Sequence, residues 1–278
     1  MSALIRASES EPISSRRNPL VGKLRDLHDA RGRQQHQRLL LEGTHLLEEA
    51  LRLGLNLELV LATPDWLARH GSLLAALESH ARLQPATAEV LAAVATTRSP
   101  DGVVASVAIP SLANASAPNF VLALDRLQDP GNLGTLLRTA LAAGVDEVWL
   151  ADGADPHAPK VLRASSGAAL ALPVQRLQRD ELRQRLEQAG AAGLQRLATQ
   201  VGDGAQPYWE LDWTQPTLLL LGNEGAGLAT EFLALADHCV TIPHSGAVES
   251  LNVAVAAAPL LLERWRQRLL SGAAAPAT

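Results

Sequence analysis

The chain has 278 residues, of which 47% are hydrophobic and 19% are charged, and it contains one cysteine, Cys239. This composition is typical of a globular protein and excludes an internal disulfide framework, a multi-cysteine zinc site and a largely disordered chain. The net charge of −5 does not by itself indicate nucleic-acid binding, but residues 1–40 carry eight Lys/Arg against four Asp/Glu. That local excess of basic residues could contact a phosphate backbone, or it could be a solvated helix face with a frayed tail.

The sequence carries no signal for export or membrane insertion. Residues 1–20 lack an apolar signal core, and the longest apolar runs, such as residues 253–262, are too short to span a membrane. We therefore expect a cytoplasmic protein that does not contact membranes.

The first part of the chain predicts a small α/β domain over residues 1–109, of which residues 1–17 are expected to be flexible. Its pattern predicts a helix over 34–53, a strand over 57–62, a helix over 65–80 and a strand over 103–109. Residues 110–118 are small, uncharged and bounded by prolines, which is typical of an interdomain linker.

The remaining residues, 119–278, predict a second α/β domain. Strands are predicted over 120–124, 145–150, 171–177, 193–198, 217–221 and 239–243, and helices over 132–143, 180–188, 229–236 and 250–270. Continuous apolar strands that alternate with helices indicate a parallel sheet covered on both faces. Ligands of such sheets bind beyond the carboxyl ends of the strands, so the segments that follow strands are the candidate sites.

The first candidate segment follows the strand 120–124 and contains a Pro-Gly turn, Asn132 and Arg138. Asn132 is predicted to cap the next helix, and Arg138 lies about 9 Å further along the helix axis. The spacing alone favours a capping asparagine and a surface arginine.

The second candidate segment is Leu-Gly-Asn-Glu-Gly-Ala-Gly-Leu at 221–228, where three glycines leave a strand and open a helix. Such a turn allows backbone groups to approach a ligand closely, although it could also be an ordinary strand-to-helix turn. The segment matches neither GxGxxG nor a P-loop. Glu224 would repel a phosphate, which favours a neutral or cationic ligand.

The third candidate segment runs from Ile242 to residue 257, where a glycine loop leads to Ser250 and Asn252 at the predicted start of the last helix. Both side chains could be helix caps only. The sequence shows no metal cluster, Cys/His pair or nucleophile elbow. His244 is isolated, and Cys239 lies in an apolar strand, so both are interpreted as structural or incidental.

In this order and spacing, the three segments resemble the signature motifs of the SpoU/TrmH branch of the SPOUT RNA methyltransferases. The resemblance covers residues 119–270 and includes the middle segment 159–168. The first domain is more loosely similar to the substrate-binding extension of this branch, through residues 18–21, 41–50 and 99–103. Three positions depart from the family pattern: Gly22 is inserted before Lys23, Asp101 stands where Gln is common, and His244 replaces a frequent Met.

The resemblance implies a parallel-sheet SPOUT methyltransferase domain with a C-terminal trefoil knot, preceded by a smaller, ribosomal-protein-like α/β domain. It also implies a homodimer in which both chains build each site, and S-adenosylmethionine as cofactor without a metal ion. The residues implied to bind the cofactor are Leu221, Gly222, Asn223, Gly225, Ile242, Pro243, Ser250, Leu251 and Asn252. Those implied to act in catalysis are Arg138, Asn132, Glu224, Ser250 and Asn252.

By the same resemblance the enzyme methylates a ribose 2′-hydroxyl of RNA, and ribosomal RNA is favoured over tRNA because of the N-terminal extension. The basic residues expected to contact RNA are Arg16, Arg17, Lys23, Arg31, Arg33 and Arg163. A tRNA methyltransferase and a catalytically silent RNA-binding member of the same fold are the alternatives. A dinucleotide-dependent oxidoreductase is disfavoured, since no glycine fingerprint follows the first strand of a βαβ unit.

Overall fold

A computed structural model describes residues 11–77, 81–202 and 204–272. The chain forms two compact units. The first comprises the chain up to Ser111 together with His157–Leu170, and the second comprises Leu112–Pro156 and the chain from Ala171 onward. Residues 1–10 of the predicted flexible segment 1–17 lie outside the described residues, as do residues 78–80 at the end of the predicted helix 65–80.

The first unit is built on a four-stranded mixed sheet. Its strands are β1 (Arg38–Glu42), β2 (Leu57–Ala62), β3 (Arg82–Pro85) and β4 (Val103–Ala108). The strand order is β1-β4-β2-β3, with β4 antiparallel to β1 and β2, and β2 parallel to β3. Its helices are α1 (Pro19–Asp26), α2 (Ala30–His36), α3 (Thr44–Arg52), α4 (Pro64–Arg69), α5 (Gly71–Ala76) and α6 (Ala88–Val94), and a further helix at Pro159–Ala164 belongs to the same unit.

The helix predicted over 34–53 is wrong, because residues 38–42 form strand β1 between two short helices. Leu39, Leu40 and Leu41 are almost fully buried and lie opposite residues of β4, with Leu40 paired to Ser106. The long-range pairing with β4 therefore overrides the local helical pattern. The helix predicted over 65–80 is likewise interrupted at His70, between α4 and α5.

The second unit is built on a seven-stranded parallel sheet. Its strands are β5 (Phe120–Leu127), β6 (Glu147–Gly153), β7 (Val174–Leu177), β8 (Gln195–Thr199), β9 (Gln206–Pro207), β10 (Thr217–Leu221) and β11 (His238–Thr241). The order is β7-β6-β5-β10-β8-β11-β9. The whole of β10 is buried, as expected for a Thr-Leu-Leu-Leu-Leu strand at the centre of a sheet with both faces covered. The parallel sheet predicted from the sequence is confirmed.

Helices cover both faces of this sheet. They are α7 (Pro130–Ala142), α9 (Arg179–Ala191), α10 (Thr230–Leu233) and α11 (Val253–Leu270). The helix Pro159–Ala164, which belongs to the first unit, is α8. Leu182 and Leu186 of α9 and Phe232 of α10 pack on one face, while α7 and α11 pack against each other. No helix among the described residues has the length and apolarity that crossing a membrane requires.

The two helices next to the candidate segments begin at residues that differ from the prediction. Asp129 caps α7 by accepting a hydrogen bond from the Asn132 N–H at 2.8 Å, so Asn132 lies in the first turn and is not the cap. Asn252 caps α11 by accepting from the N–H groups of Ala254 and Val255, so Ser250 precedes the helix. In both cases a side-chain oxygen satisfies N–H groups that have no partner inside the helix.

Candidate active site

A cavity of about 440 Å³ lies at the carboxyl edge of the second unit's sheet. The parallel register places Leu221 of β10 opposite Leu124 of β5, and Val240 of β11 opposite Thr199 of β8. Because these strands end at the same edge of the sheet, the segments that follow them lie close to one another. The cavity is lined by residues of the segments 199–201, 221–228, 240–244 and 249–260.

The turn after β10 requires glycine at its first position. The N–H of Asn223 donates to the Gly227 carbonyl at 3.1 Å, and the N–H of Gly227 donates back at 3.0 Å. A Cβ on Gly222 would lie 2.3 Å from the carbonyl carbon of Gly227, a distance that real structures do not tolerate. Gly222 therefore allows the turn to fold back on itself and leaves its backbone facing the cavity.

Glu224 joins this turn to the segment between β5 and α7. Its carboxylate accepts hydrogen bonds from the N–H groups of Gln128 and Asp129 at 3.2 and 3.0 Å, and from the Asn132 amide at 3.3 Å. Partial desolvation raises the pKa of Glu224, but these donors outweigh it and hold the pKa below its usual value. The side chain is therefore an anion that fixes two loops to each other.

Asn223, Asn132 and Asn252 extend the same network. The Asn223 amide donates to the Arg126 carbonyl at 2.8 Å, and its Oδ1 accepts from the N–H groups of Gly225 and Ala226. The Asn252 amide donates to Asn132 Oδ1 at 3.0 Å while Asn252 Oδ1 caps α11. Three segments far apart in the chain are thus held in one arrangement by side-chain amides and one carboxylate.

The lining of the cavity is acidic. Glu224 and Glu249 line it, and none of the described residues in its lining is lysine or arginine. A cavity of this kind favours a ligand with positive charge over a phosphate-rich one.

Of the nine residues predicted to bind the cofactor, seven line the cavity, and Pro243 and Asn252 do not. Ser250 is exposed and lines the cavity, whereas Arg138 is exposed on α7 outside the lining. The structure thus connects Asn132 directly to both Glu224 and Asn252. The roles assigned to all these residues stay predictions.

Other lining residues were not predicted from the sequence. Thr199 ends β8 and Gln200 and Val201 follow it, and this position at the end of a parallel strand was the signal that could have identified them. Glu249 and His244 also line the cavity. Both lie inside the third candidate segment, 242–257, but neither was assigned to the cofactor site from the sequence.

The predicted RNA-contacting residues fall into two groups in the first unit. Arg16, Arg17, Lys23 and Arg31 are exposed. Arg33 is buried and donates to the carbonyls of Leu27 and His28, both at 2.8 Å. Arg163 donates to the buried carboxylate of Glu42 at 2.9 Å and to Thr96 Oγ1 at 2.6 Å. Burial makes the Arg33 guanidinium unsuited to contact RNA, whereas the Arg163 side chain is 27% exposed and its RNA contact stays a prediction.

Among the residues that the structure describes, no group of three or more His, Cys, Asp or Glu side chains is arranged to hold a metal ion.

Comparison with known proteins gives matches in both units. Residues 119–262 match the SpoU rRNA Methylase family, and residues 18–105 match the MRM3-like substrate binding domain. An uncharacterized tRNA/rRNA methyltransferase of Synechocystis is 46% identical, covering 94% of this chain and 96% of its own. The 23S rRNA (guanosine(2553)-2′-O)-methyltransferase RlmP of Bacillus subtilis is 36% identical, covering 90% and 97%. The structure of an AdoMet-bound rRNA methyltransferase from Sinorhizobium meliloti is similar with a TM-score of 0.77 at 29% identity, covering 92% and 98%.

Proposed function

The chain belongs to the SpoU rRNA methylase family, and we propose that it transfers a methyl group from S-adenosylmethionine to a ribose 2′-hydroxyl of RNA, with ribosomal RNA as the substrate. The observation that carries this function is the glycine-lined, acidic cavity at the carboxyl edge of the parallel sheet. Its volume of about 440 Å³ is within the range of cofactor sites.

The cavity suits S-adenosylmethionine in shape and charge. Because Gly222 has no Cβ, the backbone of Gly227 can pack against it, and the tight turn 222–227 presents backbone groups to the cavity. Glu224 and Glu249 favour a cation, and the cofactor carries its methyl group on a positively charged sulfur, which makes that methyl an electrophile. Leu221, Gly222, Ile242 and Leu251 would hold the cofactor.

The remaining requirement of the reaction is a positioned ribose hydroxyl. Asn132, Glu224 and Asn252 fix the segments on one side of the cavity through direct hydrogen bonds. Aligning the hydroxyl oxygen contributes most of the rate enhancement, and removing its proton contributes the rest. Arg138 would bind the adjoining phosphate, since an arginine remains charged at neutral pH and is a poor base.

Ribosomal RNA is favoured because both units of the chain take part in the similarity to an enzyme of 23S rRNA. The RlmP match extends over 90% of this chain, which includes the first unit. The first unit exposes Arg16, Arg17, Lys23 and Arg31, and we assign these side chains to phosphate contacts. RNA binding that weakens with salt, with a smaller salt slope in the charge-neutral variant of these four, would support this assignment.

A homodimer is supported by an exposed apolar stripe on α11. Val255, Leu262 and Leu269 recur every seven residues and are 62%, 44% and 56% exposed. Leu141, three residues from Arg138 on the same face of α7, is also exposed. A second copy that covers both this stripe and Leu141 would bring Arg138 to the dimer interface. Val255→Asp should convert a dimer to a monomer in light scattering, and a wild-type chain that is monomeric would contradict the dimer.

A trefoil knot and a cytoplasmic location complete the proposal. The strand order supports the knot: the chain passes from β8 to β9 at the sheet edge, crosses back to β10 on the other side of β8, and returns to β11 between β8 and β9, after which α11 packs against α7. Single-molecule stretching should stop short of the full contour length if the chain is knotted. The cytoplasmic location is proposed because ribosomal RNA, the proposed substrate, is found in the cytoplasm.

The direct test is transfer of tritium from S-adenosylmethionine to ribosomal RNA, followed by nuclease digestion to identify a 2′-O-methyl nucleotide. Arg138→Ala should abolish transfer while the affinity for the cofactor stays within about twofold. Transfer to tRNA alone would favour the tRNA alternative, and RNA binding without transfer would favour the silent one.

A further inference from the structure

The His244 ring lies between two backbone carbonyls of the loop that connects β11 to α11. Its Nδ1 is 3.0 Å from the carbonyl oxygen of Ile242, and its Nε2 is 3.2 Å from that of Val248. Both distances are within hydrogen-bond range. The His244 side chain therefore connects the two ends of the segment 242–248.

These contacts constrain the protonation state of the ring. A carbonyl oxygen only accepts hydrogen bonds, and a neutral imidazole carries a single N–H. The neutral ring can therefore satisfy one carbonyl while it turns a lone pair toward the other. The protonated ring carries two N–H groups and satisfies both, with charge-assisted bonds.

The loop has few other internal contacts to hold it. Residues 243–252 are all exposed, and a hydrogen bond inside the loop, from the Ala247 N–H to Ser245 Oγ, is long at 3.4 Å. Yet Ser250 and Leu251, at the end of this loop, line the cavity. Asn252 fixes the chain on the far side of these two residues, so their position depends also on how the preceding residues 242–248 are held.

The charged groups that share the cavity with His244 are Glu224, on the turn after β10, and Glu249, next to Val248 in the loop. The sulfonium charge of S-adenosylmethionine would repel a protonated ring, so the effect of protonation on the loop must be measured with a ligand that lacks the sulfonium.

We propose that His244 is a positioning residue for the cofactor site: when its imidazole is protonated, it holds the 242–248 segment closed and places Ser250 and Leu251 against the ligand. The inference rests on the proposed function, since it assumes that the cavity binds the methyl donor and its product. A loop that is already ordered pays less entropy on binding. Ligand affinity therefore increases as the pH falls through the range in which histidines gain a proton, roughly pH 8 to 5.

The test is calorimetric titration of the full-length protein with S-adenosylhomocysteine, which lacks the sulfonium charge, at about pH 6 and about pH 8. The wild type should bind about fivefold more tightly at the lower pH, as expected for one additional net hydrogen bond. His244→Gln keeps N–H donors but does not titrate, and its affinity should be the same at both pH values. His45→Gln, at an exposed position on α3, should respond to pH as the wild type does.

The pH response has a second measure. Titrations in buffers of different ionisation enthalpy should show that the wild type takes up a fraction of a proton on binding near neutral pH, and that His244→Gln takes up none. A wild type without pH response, or a His244→Gln variant that keeps it, would overturn the inference while leaving the proposed function intact. Absence of binding at either pH would overturn the proposed function as well.

Discussion

Two glycines of the turn after β10 differ in what they tolerate. Gly222 faces the backbone of Gly227, and an added Cβ would lie 2.3 Å from it, whereas the nearest atom to a Cβ on Gly225 is 3.8 Å away. We expect Gly222→Ala to displace the turn at a cost of about 1–3 kcal/mol, lowering cofactor affinity about tenfold or more. Gly225→Ala should stay within about twofold. Calorimetric titration of both variants tests this, and equal losses would contradict the account of the turn.

Glu224 carries a pH dependence whose sign follows from its hydrogen bonds. Its pKa lies below the ordinary value of 4.5, since donors from Gln128, Asp129 and Asn132 outweigh desolvation. The folded state is therefore stabilised above pH 4.5, and this stabilisation is lost as the pH falls through the lowered pKa.

We expect Glu224→Gln to lower the free energy of unfolding by about 1 kcal/mol at neutral pH, a modest loss because the carboxylate is largely exposed. The difference between wild type and variant should shrink in acid below pH 4.5. Urea denaturation at a series of pH values measures it. A difference that grows in acid would show that the carboxylate is not held as an anion.

Some residues of the site could be predicted from the sequence, and the partners of others could not. Glycine motifs after strands marked Gly222 and Ile242, which line the cavity, because chain-local patterns encode turns. The partners of Glu224 could not be predicted, since Gln128 and Asp129 lie almost a hundred residues away in the chain. Only the parallel pairing of β5 with β10 brings them together.

At the scale of elements, the cap of α11 links helix stability to the site. Asn252 satisfies two N–H groups of the first turn and also donates to Asn132. Asn252→Ala should lower the free energy of unfolding by about 1 kcal/mol and should reduce methyl transfer as well.

The matched control is Thr63→Ala, which removes the cap of α4, where Thr63 Oγ1 accepts from the Trp66 N–H. It should cost a similar amount of stability and leave methyl transfer unchanged. Denaturation and initial rates, measured on both variants, separate the two effects. Equal rates of methyl transfer in the two variants would show that Asn252 acts only as a helix cap.

Element prediction succeeded where burial and local pattern agree. The apolar strand 217–221 was predicted with the bounds observed. A central strand is buried on both faces, so its residues form a continuous apolar run that is easy to delimit. It failed at residues 38–42, where leucines flanked by good helix formers become an edge strand held by β4. Strand pairing between distant residues is not visible in a local window.

At the scale of the whole molecule, a buried carboxylate holds residues 157–170 to the first unit. Glu42 of β1 accepts hydrogen bonds from Thr96, Thr97 and Arg163. Burial raises its pKa, but these bonds lower it to a net value below the usual one. This contact could not be predicted from the sequence, where Arg163 was assigned to RNA because it is basic.

Glu42→Gln should therefore lower the free energy of unfolding by about 2 kcal/mol, because it leaves Arg163 without its counter-charge. Glu58→Gln is the control: its carboxylate pairs with Arg38 on the surface and should contribute less than about 0.5 kcal/mol. Urea denaturation compares the two, and equal losses would mean that the buried contact does not matter to the fold.

The most direct test of the central claim is a map of ribose methylation in ribosomal RNA from cells that lack this protein. We predict that one 2′-O-methyl group disappears, that the wild-type chain restores it, and that Arg138→Ala does not. An unchanged methylation pattern in the deletion strain, with ribosomal RNA fully methylated at every ribose position found in the parent, would contradict the assignment.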